Sequence, residues 1–171
     1  LCADMLDKGH LFAVASGCSE VGPRALGHRS LIADPTKINS WAKVNHIKNR
    51  ERWRPLAPAI MGSFVNDYFD GGPAESNHML FNYRVKTKDL PAITHFDHSA
   101  RIQTVDANQP AFYALLKEFL DQGKPPVILN TSLNGRNVPI AENEKDVFDT
   151  VQSLNLSGIF TGNAVYIMDT V

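Results

Sequence analysis

Val127-Ile-Leu-Asn-Thr-Ser-Leu-Asn-Gly-Arg136 is the stretch on which the fold turns. Val127 to Asn130 read as a strand buried on both faces, and it runs straight into polar side chains. In extended geometry Asn130, Ser132 and Asn134 share one face, while Thr131 and Leu133 share the other. Gly135 then lets the chain turn. Hydroxyls and amides at the end of a buried strand suit a phosphate or a ribose. An Asn-Gly turn that merely caps the strand would use the same residues.

The flanking segments place this strand in a layered domain. Upstream, Pro110–Gln122 carries Phe112, Leu115, Leu116, Phe119 and Leu120 on one helical stripe, with Gly123 ending the helix. Downstream, Asn143 caps a helix bearing Val147, Phe148 and Val151, and Ala164–Met168 closes the sheet. Toward the N-terminus, Leu1–Lys8 reads as a helix closed by Gly9, and Leu11–Ala15 as a buried strand. Gly17 to Gly27 is a loop, Ser30–Ala33 a short strand, and Asp34-Pro35 a turn. Thr36 is expected to cap a helix running to about Arg50, with Ile38, Trp41, Val44 and Ile47 as its apolar stripe. Pro55–Met61 follows as a strand that Pro55 and Pro58 make an edge or irregular one. Phe64–Phe69 is a short helix ended by Gly71-Gly72-Pro73, and Met79–Val85 and Arg101–Val105 are further strands. Helices and strands interleave irregularly, which defines a single α+β domain with a twisted, mixed sheet and flanking helices.

Composition agrees. The 171 residues are 43% hydrophobic and 20% charged, the balance of one globular domain rather than a disordered chain. The longest apolar runs are of the Leu11–Ala15 kind, far short of a membrane-spanning helix. Cys2 and Cys18 cannot build a disulfide framework or a zinc knuckle, so a reducing cytoplasm is expected. No secretory leader is read, and a first residue of Leu1 suggests a piece of a longer protein. The net charge of −1 hides an asymmetry: Gly22 to Arg54 holds eight basic and two acidic residues, +6, leaving −7 for the rest. A basic stretch in an acidic domain points to an anion site, and the acidic remainder argues against nucleic acid as a partner.

Two segments inside that stretch carry the chemistry. In Glu20-Val-Gly-Pro-Arg-Ala-Leu-Gly-His-Arg-Ser30, glycines permit close backbone approach, and Arg24 and Arg29 offer planar donor forks for phosphate or carboxylate. In Lys48-Asn-Arg-Glu-Arg-Trp-Arg-Pro-Leu-Ala-Pro58, Lys48 follows Trp41 by seven residues and so points along the apolar stripe, where an ammonium needs a partner. If the chain after Arg50 is extended, Arg50, Arg52 and Arg54 share a face; if the helix runs on, they fan out. Arg54, at the change from helix to strand, is the functional candidate and Arg52 a surface residue. Arg101 opens a strand. His95, Asp97 and His98 are too crowded on one strand for a metal site, and no metal ligand is assigned.

Taken together, Glu20–Pro35, Lys48–Pro58, Ser99-Ala-Arg-Ile-Gln-Thr-Val105 and Leu129–Arg136 occur in an order that resembles the C-terminal domain of the nodulation- and antibiotic-type O-carbamoyltransferases. The resemblance covers about Gly9 to Met168. That domain is similar in fold to the YrdC-like threonylcarbamoyl-adenylate synthases, whose Thr-Ser-Ala-Asn motif resembles Thr131-Ser132-Leu133-Asn134. The resemblance implies an enzyme domain that takes carbamoyl phosphate and ATP, the latter with Mg²⁺, and forms carbamoyl-adenylate. An N-terminal Kae1-like domain of the same protein, outside this chain, would hold the catalytic metal and pass the carbamoyl group to a hydroxyl of a sugar-like acceptor.

The resemblance also implies roles. Lys48, Arg54 and Arg101 correspond to the catalytic, phosphate-gripping positions. Arg24, Thr131, Ser132 and Asn134 correspond to substrate- and ATP-binding positions, and Arg50 and Arg136, which lie in the same stretches, are expected to bind substrate or ATP as well. The chain departs from the family pattern at Gly17-Cys18, where a Gly-Arg pair is usual, and at His98, where a glycine is usual. The competing expectation is a non-catalytic RNA-binding or structural module of the same fold.

Overall fold

The computed structural model describes residues 1–168, and its organisation follows from strands that are apolar on both faces. Strand β1 (Phe12–Ala15), β2 (Arg29–Ala33), β3 (Ala57–Met61) and β8 (Val127–Ser132) form the middle of a seven-stranded sheet. Its edge regions are β7 (Gln103–Val105) on one side and β9 (Gly158–Phe160) with β10 (Val165–Ile167) on the other. The order is β10-β9-β1-β2-β8-β3-β7. The β1–β9 and β3–β7 pairs are parallel and the rest antiparallel, so the sheet is mixed as expected. A small antiparallel sheet, β4 (Phe69–Asp70), β5 (Asn82–Val85) and β6 (Ser99–Arg101), is hydrogen-bonded separately and packs against the same core.

Period-two geometry divides each central strand between two cores. Ala13, Leu31, Ala33, Val127 and Leu129 join one core with Val44, Val147 and Val151 of α2 (Ile38–Ile47) and α5 (Glu144–Ser153), and with Tyr83 and Ala100 of the small sheet. Phe12, Val14, Ile32, Ala59 and Ile128 join the other with Leu6 of α1 (Cys2–Asp7) and the Phe112, Leu115, Leu116 and Phe119 stripe of α4 (Pro110–Asp121). Helices therefore cover both faces, which is why the central strands read as continuous hydrophobic runs. Asn143 caps α5 in a reciprocal capping box with Asp146. A 3-10 turn at Gly62–Phe64 leads into α3 (Val65–Tyr68).

Several local expectations are corrected. Thr36 does not cap α2: its hydroxyl donates to Asp34 Oδ1 at 2.7 Å, closing the turn, and Lys37 occupies the cap position. Ile38 is exposed; the buried side of α2 runs through Ser40, Val44 and Lys48 instead. Leu120 and Phe148 likewise sit at the exposed margins of their stripes. Pro58 lies in an interior strand, yet pairing with β7 begins only at Ala59, so on that side the strand is still unpaired at the proline. Arg101–Val105 is not one strand. Buried Ile102 separates β6, which pairs with β5, from β7, which pairs with β3.

His98 stands in left-handed backbone, φ 60°, in the turn where its amide donates to the His95 carbonyl at 2.9 Å. A glycine meets this geometry without a Cβ clash, which gives the departure from the family pattern at this position a physical cost. His98→Gly is expected to be neutral or stabilising by up to about 1 kcal/mol, and His98→Val to lose more than about 1 kcal/mol. Denaturant unfolding of the two variants checks this; equal losses would show that the backbone angle is not what the position selects.

Candidate functional site

Four guanidiniums converge on one cleft of about 560 Å³, brought there by three separate segments. Arg24 comes from the glycine-punctuated loop. Arg50 and Arg54 come from the turn between α2 and β3. Arg101 comes from the end of β6, and Asn130, Thr131 and Ser132 line the cleft from the end of β8. Glu51 is the one acidic residue in this lining, and Arg54 Nη1 pairs with it at 3.3 Å.

The loop that presents Arg24 is tied down from two sides. The Glu20 carboxylate accepts from the backbone amides of Leu26 at 2.7 Å, His28 at 2.8 Å and Arg29 at 3.1 Å. Asn130, buried in β8, donates to the Ala25 carbonyl at 3.0 Å and to Gln103 Oε1 at 2.9 Å, and Gln103 donates to the Leu26 carbonyl at 2.8 Å. Sequence reading left Glu20 and Gln103 without a role. The signal for Glu20 lies in its position at the head of a glycine-rich loop whose amides need an acceptor.

The segment after α2 is neither extended nor helical. Asn49 takes φ 46° and ends the helix, and the Arg54 amide donates to the Glu51 carbonyl at 3.1 Å, making a turn. This turn puts Arg50 and Arg54 on the cleft and leaves Arg52 exposed outside it. Asn45, wholly buried, organises it: Arg50 Nε donates to Asn45 Oδ1 at 2.6 Å, and Asn45 Nδ2 donates to the Arg54 carbonyl at 3.0 Å. Burial, then the charge of Arg54, pull Arg50 down to about 10, with Glu51 opposing. Burial and neighbouring Arg24 lower Arg101 too. Arg50 Nη2 and Arg101 Nε are buried without a partner among the described residues.

Lys48 lies beside this lining rather than in it. Its ammonium is buried and donates to the Ser132 carbonyl, to Ser132 Oγ at 3.3 Å and to Asn134 Oδ1 at 2.8 Å, and Ser132 Oγ donates to Asn134 Oδ1 at 2.6 Å. All three acceptors are neutral. Burial first, then the charges of Arg50 and Arg54, lower the Lys48 pKa to about 7. The structure thus joins Lys48, Ser132 and Asn134 to one another, with Ser132 shared by the cleft. Arg136 stands outside: it is exposed and donates to the Asn49 carbonyl at 2.9 Å. Arg29 is buried behind the loop, with its Nη atoms on the carbonyls of Ser16, His28 and Glu142. Among the described residues no group of three or more His, Cys, Asp and Glu side chains is gathered as metal ligands, and His95 Nδ1 lies 3.2 Å from Ser99 Oγ.

The mixed sheet and its flanking helices have counterparts among solved structures. The fold is similar to full-length HypF, described as phosphate- and nucleotide-bound, with a TM-score of 0.68, 18% identity and coverage of 98% of this chain and 25% of that one. It is similar to a P. abyssi Sua5 variant with a TM-score of 0.64 and 16% identity, over 94% of this chain and 47% of that one. These define the YrdC-like class of fold.

The chain belongs to the carbamoyltransferase C-terminus family, whose model matches residues 3–167. It is 33% identical to nodulation protein NolNO of Sinorhizobium fredii, over 94% of this chain and 25% of that protein. It is 35% identical to the 3'-hydroxymethylcephem-O-carbamoyltransferase of Amycolatopsis lactamdurans, over 94% of this chain and 31% of that protein. The chain therefore spans a quarter to a third of the length of these curated relatives.

Two outcomes follow from the geometry. Glu20→Gln replaces an acceptor oxygen by a donor facing three amides, so the exchange protection of Leu26, His28 and Arg29 should fall about tenfold or more. Hydrogen exchange read at those amides decides it; unchanged protection would remove Glu20 from the loop's support. For Lys48, the folded pKa lies below the unfolded value of about 10.4, so the unfolded chain binds more protons between pH 7 and 10. The stability gap between Lys48→Met and the wild type should therefore move in favour of the wild type as pH rises from 7 to 9.5, by about 2–3 kcal/mol. Urea denaturation at the two pH values measures the shift, and a constant gap would mean that Lys48 is not charge-suppressed in the fold.

Proposed function

We propose that this chain is the carbamoyl-phosphate-activating domain of a two-domain O-carbamoyltransferase. The observation that carries the reading is the cleft itself: four guanidiniums with a single carboxylate, and Lys48 next to them. Two polyanions meeting in one site repel each other, and fixed cations offset that repulsion without reorganising during the reaction. Carbamoyl phosphate loses its phosphate to water, the resulting carbamate oxygen attacks the α-phosphorus of ATP, and pyrophosphate leaves, giving carbamoyl-adenylate. Arg101, Arg54 and Lys48 grip and charge-balance the phosphates, Arg24 and Arg50 extend the same field, and Thr131, Ser132 and Asn134 contact the nucleotide. Arg136 supplies outer charge. Mg²⁺ enters with ATP as part of the substrate, because Glu51 is already engaged by Arg54. The chemistry relies on positioning and electrostatics rather than on a general base.

In this reading the carbamoyl group then passes to an N-terminal Kae1-like domain of the same protein, where the catalytic metal sits, and on to a hydroxyl of a sugar-like acceptor. The relative named above as a cephem O-carbamoyltransferase supports that reaction class. Both cysteines are free thiols, which supports a reducing, cytoplasmic setting. Among the described residues no helix is long and apolar enough to cross a membrane.

Calorimetry with ATP·Mg²⁺ and with carbamoyl phosphate should give binding of each. Arg101→Ala and Arg101→Lys should weaken carbamoyl phosphate about tenfold to a hundredfold, the second because a planar fork becomes a point charge. Arg52→Ala, outside the cleft, should be neutral. Incubation with both substrates should yield AMP and pyrophosphate only when both are present, and Lys48→Ala should abolish the yield. Unchanged affinities in Arg101→Ala and Lys48→Ala would overturn the site assignment, and failure of the wild type to bind either ligand would overturn the function.

A further inference from the structure

A recess of about 500 Å³ lies where α5 meets β9 and β10, beside the end of β1. Its lining is largely apolar: Val147 and Phe148 from α5, Ile159 from β9, Tyr166 and Met168 from β10 and its end. Phe148 is 47% exposed and Tyr166 59%. Large apolar side chains are ordinary on a surface when scattered, but grouped around one recess they mark an interaction site. A single buried charge belongs to this setting. Arg29 lines the recess and is only 8% exposed. Its guanidinium donates to the carbonyls of His28 at 3.1 Å, Glu142 at 3.2 Å and Ser16 at 3.4 Å, and its Nε is buried with no partner among the described residues. Glu144 lines the same recess but is exposed, and its carboxylate is not among the partners of Arg29. A buried cation held only by neutral groups is costly, and an acid supplied from outside would complete it.

We propose that this recess is the docking seat of the domain that receives the carbamoyl group, with Phe148 and Tyr166 under its apolar surface and Arg29 paired to one of its acidic side chains. The assignment rests on the two-domain reading above and names the surface on which the second domain sits. The length of the relatives favours that occupant. This chain spans a quarter to a third of them and matches the family model of a C-terminus, so most of each relative lies ahead of the matched part and has to pack somewhere. Position favours it as well. Ala15 is in register with Arg29 between β1 and β2, and Ser30 with Ser132 between β2 and β8. The recess and the arginine cleft therefore stand at one end of the sheet, on strands two spacings or about 10 Å apart. The loop between them leaves the recess at Gly17 and presents Arg24 to the cleft. A mixed anhydride made in that cleft hydrolyses in open water, so the domain that consumes it has to seat at this end. Chemistry is the third argument. Aromatic residues and arginine are the types that interface cores favour, and a protein surface can bring apolar side chains and a carboxylate together.

The test compares the full-length two-domain protein with the 171-residue chain. Phe148→Cys and Tyr166→Cys are each treated with a thiol reagent, and labelling is read at that residue by peptide mass mapping. Both should label at least about tenfold more slowly in the full-length protein. Lys117→Cys, on the exposed side of α4 across the sheet, should label equally in the two. Adding Arg29→Gln or Phe148→Glu to the full-length Tyr166→Cys protein should restore its labelling about tenfold, since one removes the cation and the other sets a charge into the contact. Circular dichroism and melting of the 171-residue variants check folding, and Phe148→Glu, at an exposed position, keeps the test open if Arg29→Gln fails to fold. Equal labelling at Phe148→Cys and Tyr166→Cys in the two proteins overturns the docking seat and leaves the activating reaction standing. If the 171-residue chain forms a dimer that Phe148→Glu dissolves, the occupant is a second copy and the assignment is overturned. If the wild type makes no AMP from ATP and carbamoyl phosphate while both cysteines are protected, the activating reaction falls and the seat stands.

Discussion

Like charges gathered around a single carboxylate set the central constraint. Arg24, Arg50, Arg54 and Arg101 share one cleft with Glu51, and Lys48 is buried beside them. An ordinary fold would place an acid next to each buried cation. Here the anchors are neutral: Asn45 for Arg50, Ser132 and Asn134 for Lys48. Neutral acceptors orient a cation without cancelling its field. Internal carboxylates would stabilise the fold, but they would compete with any anion for the same donors. The depressed Lys48 and Arg50 basicities are the thermodynamic trace of that choice.

The scaffold has to be rigid where the anchors are neutral, and the position of β8 supplies that rigidity. It is hydrogen-bonded to β2 on one side and β3 on the other, and Asn130 is in register with Ile32 and Ala57. A side chain so enclosed has few rotamers left to it. The Asn130–Gln103 pair then reaches up to the Ala25 and Leu26 carbonyls, while Glu20 gathers the amides of the same loop. Arg24 is thus presented by a loop whose donors and acceptors are both engaged from the sheet and from the chain itself.

How much of this was legible in the sequence depended on the range of the interactions. The central strands and α4 were readable because burial on both faces, or on one helical stripe, leaves a local pattern. The three stretches around Arg24, Lys48 and Thr131 were readable because polar residues there break such patterns. Strand β9 was missed, since Gly158 carries no strand signal. It is glycine because a Cβ would run into the Tyr166 carbonyl and the Phe12 ring. The division of Arg101–Val105 was invisible for another reason: its halves differ only in their partners, β5 and β3, which lie far along the chain.

The errors on α2 show how function distorts a readable helix. The spacing Ile38, Trp41, Val44, Ile47 favours a stripe centred on the indole, but the buried side runs through Ser40, Val44 and Lys48. Rotating the helix this way exposes Ile38 and leaves Trp41 half-buried, an unfavourable exchange by apolar area alone. What the rotation gains is placement: the ammonium reaches Ser132 and Asn134, and the indole N–H reaches the Arg54 carbonyl. Such a departure from the hydrophobic optimum is stable only if the rest of the domain has stability to spare, and the two continuous cores around the central strands supply it. The conflict between pattern and structure therefore falls on the helix that carries the buried cation, which is where a site under chemical constraint should leave its mark.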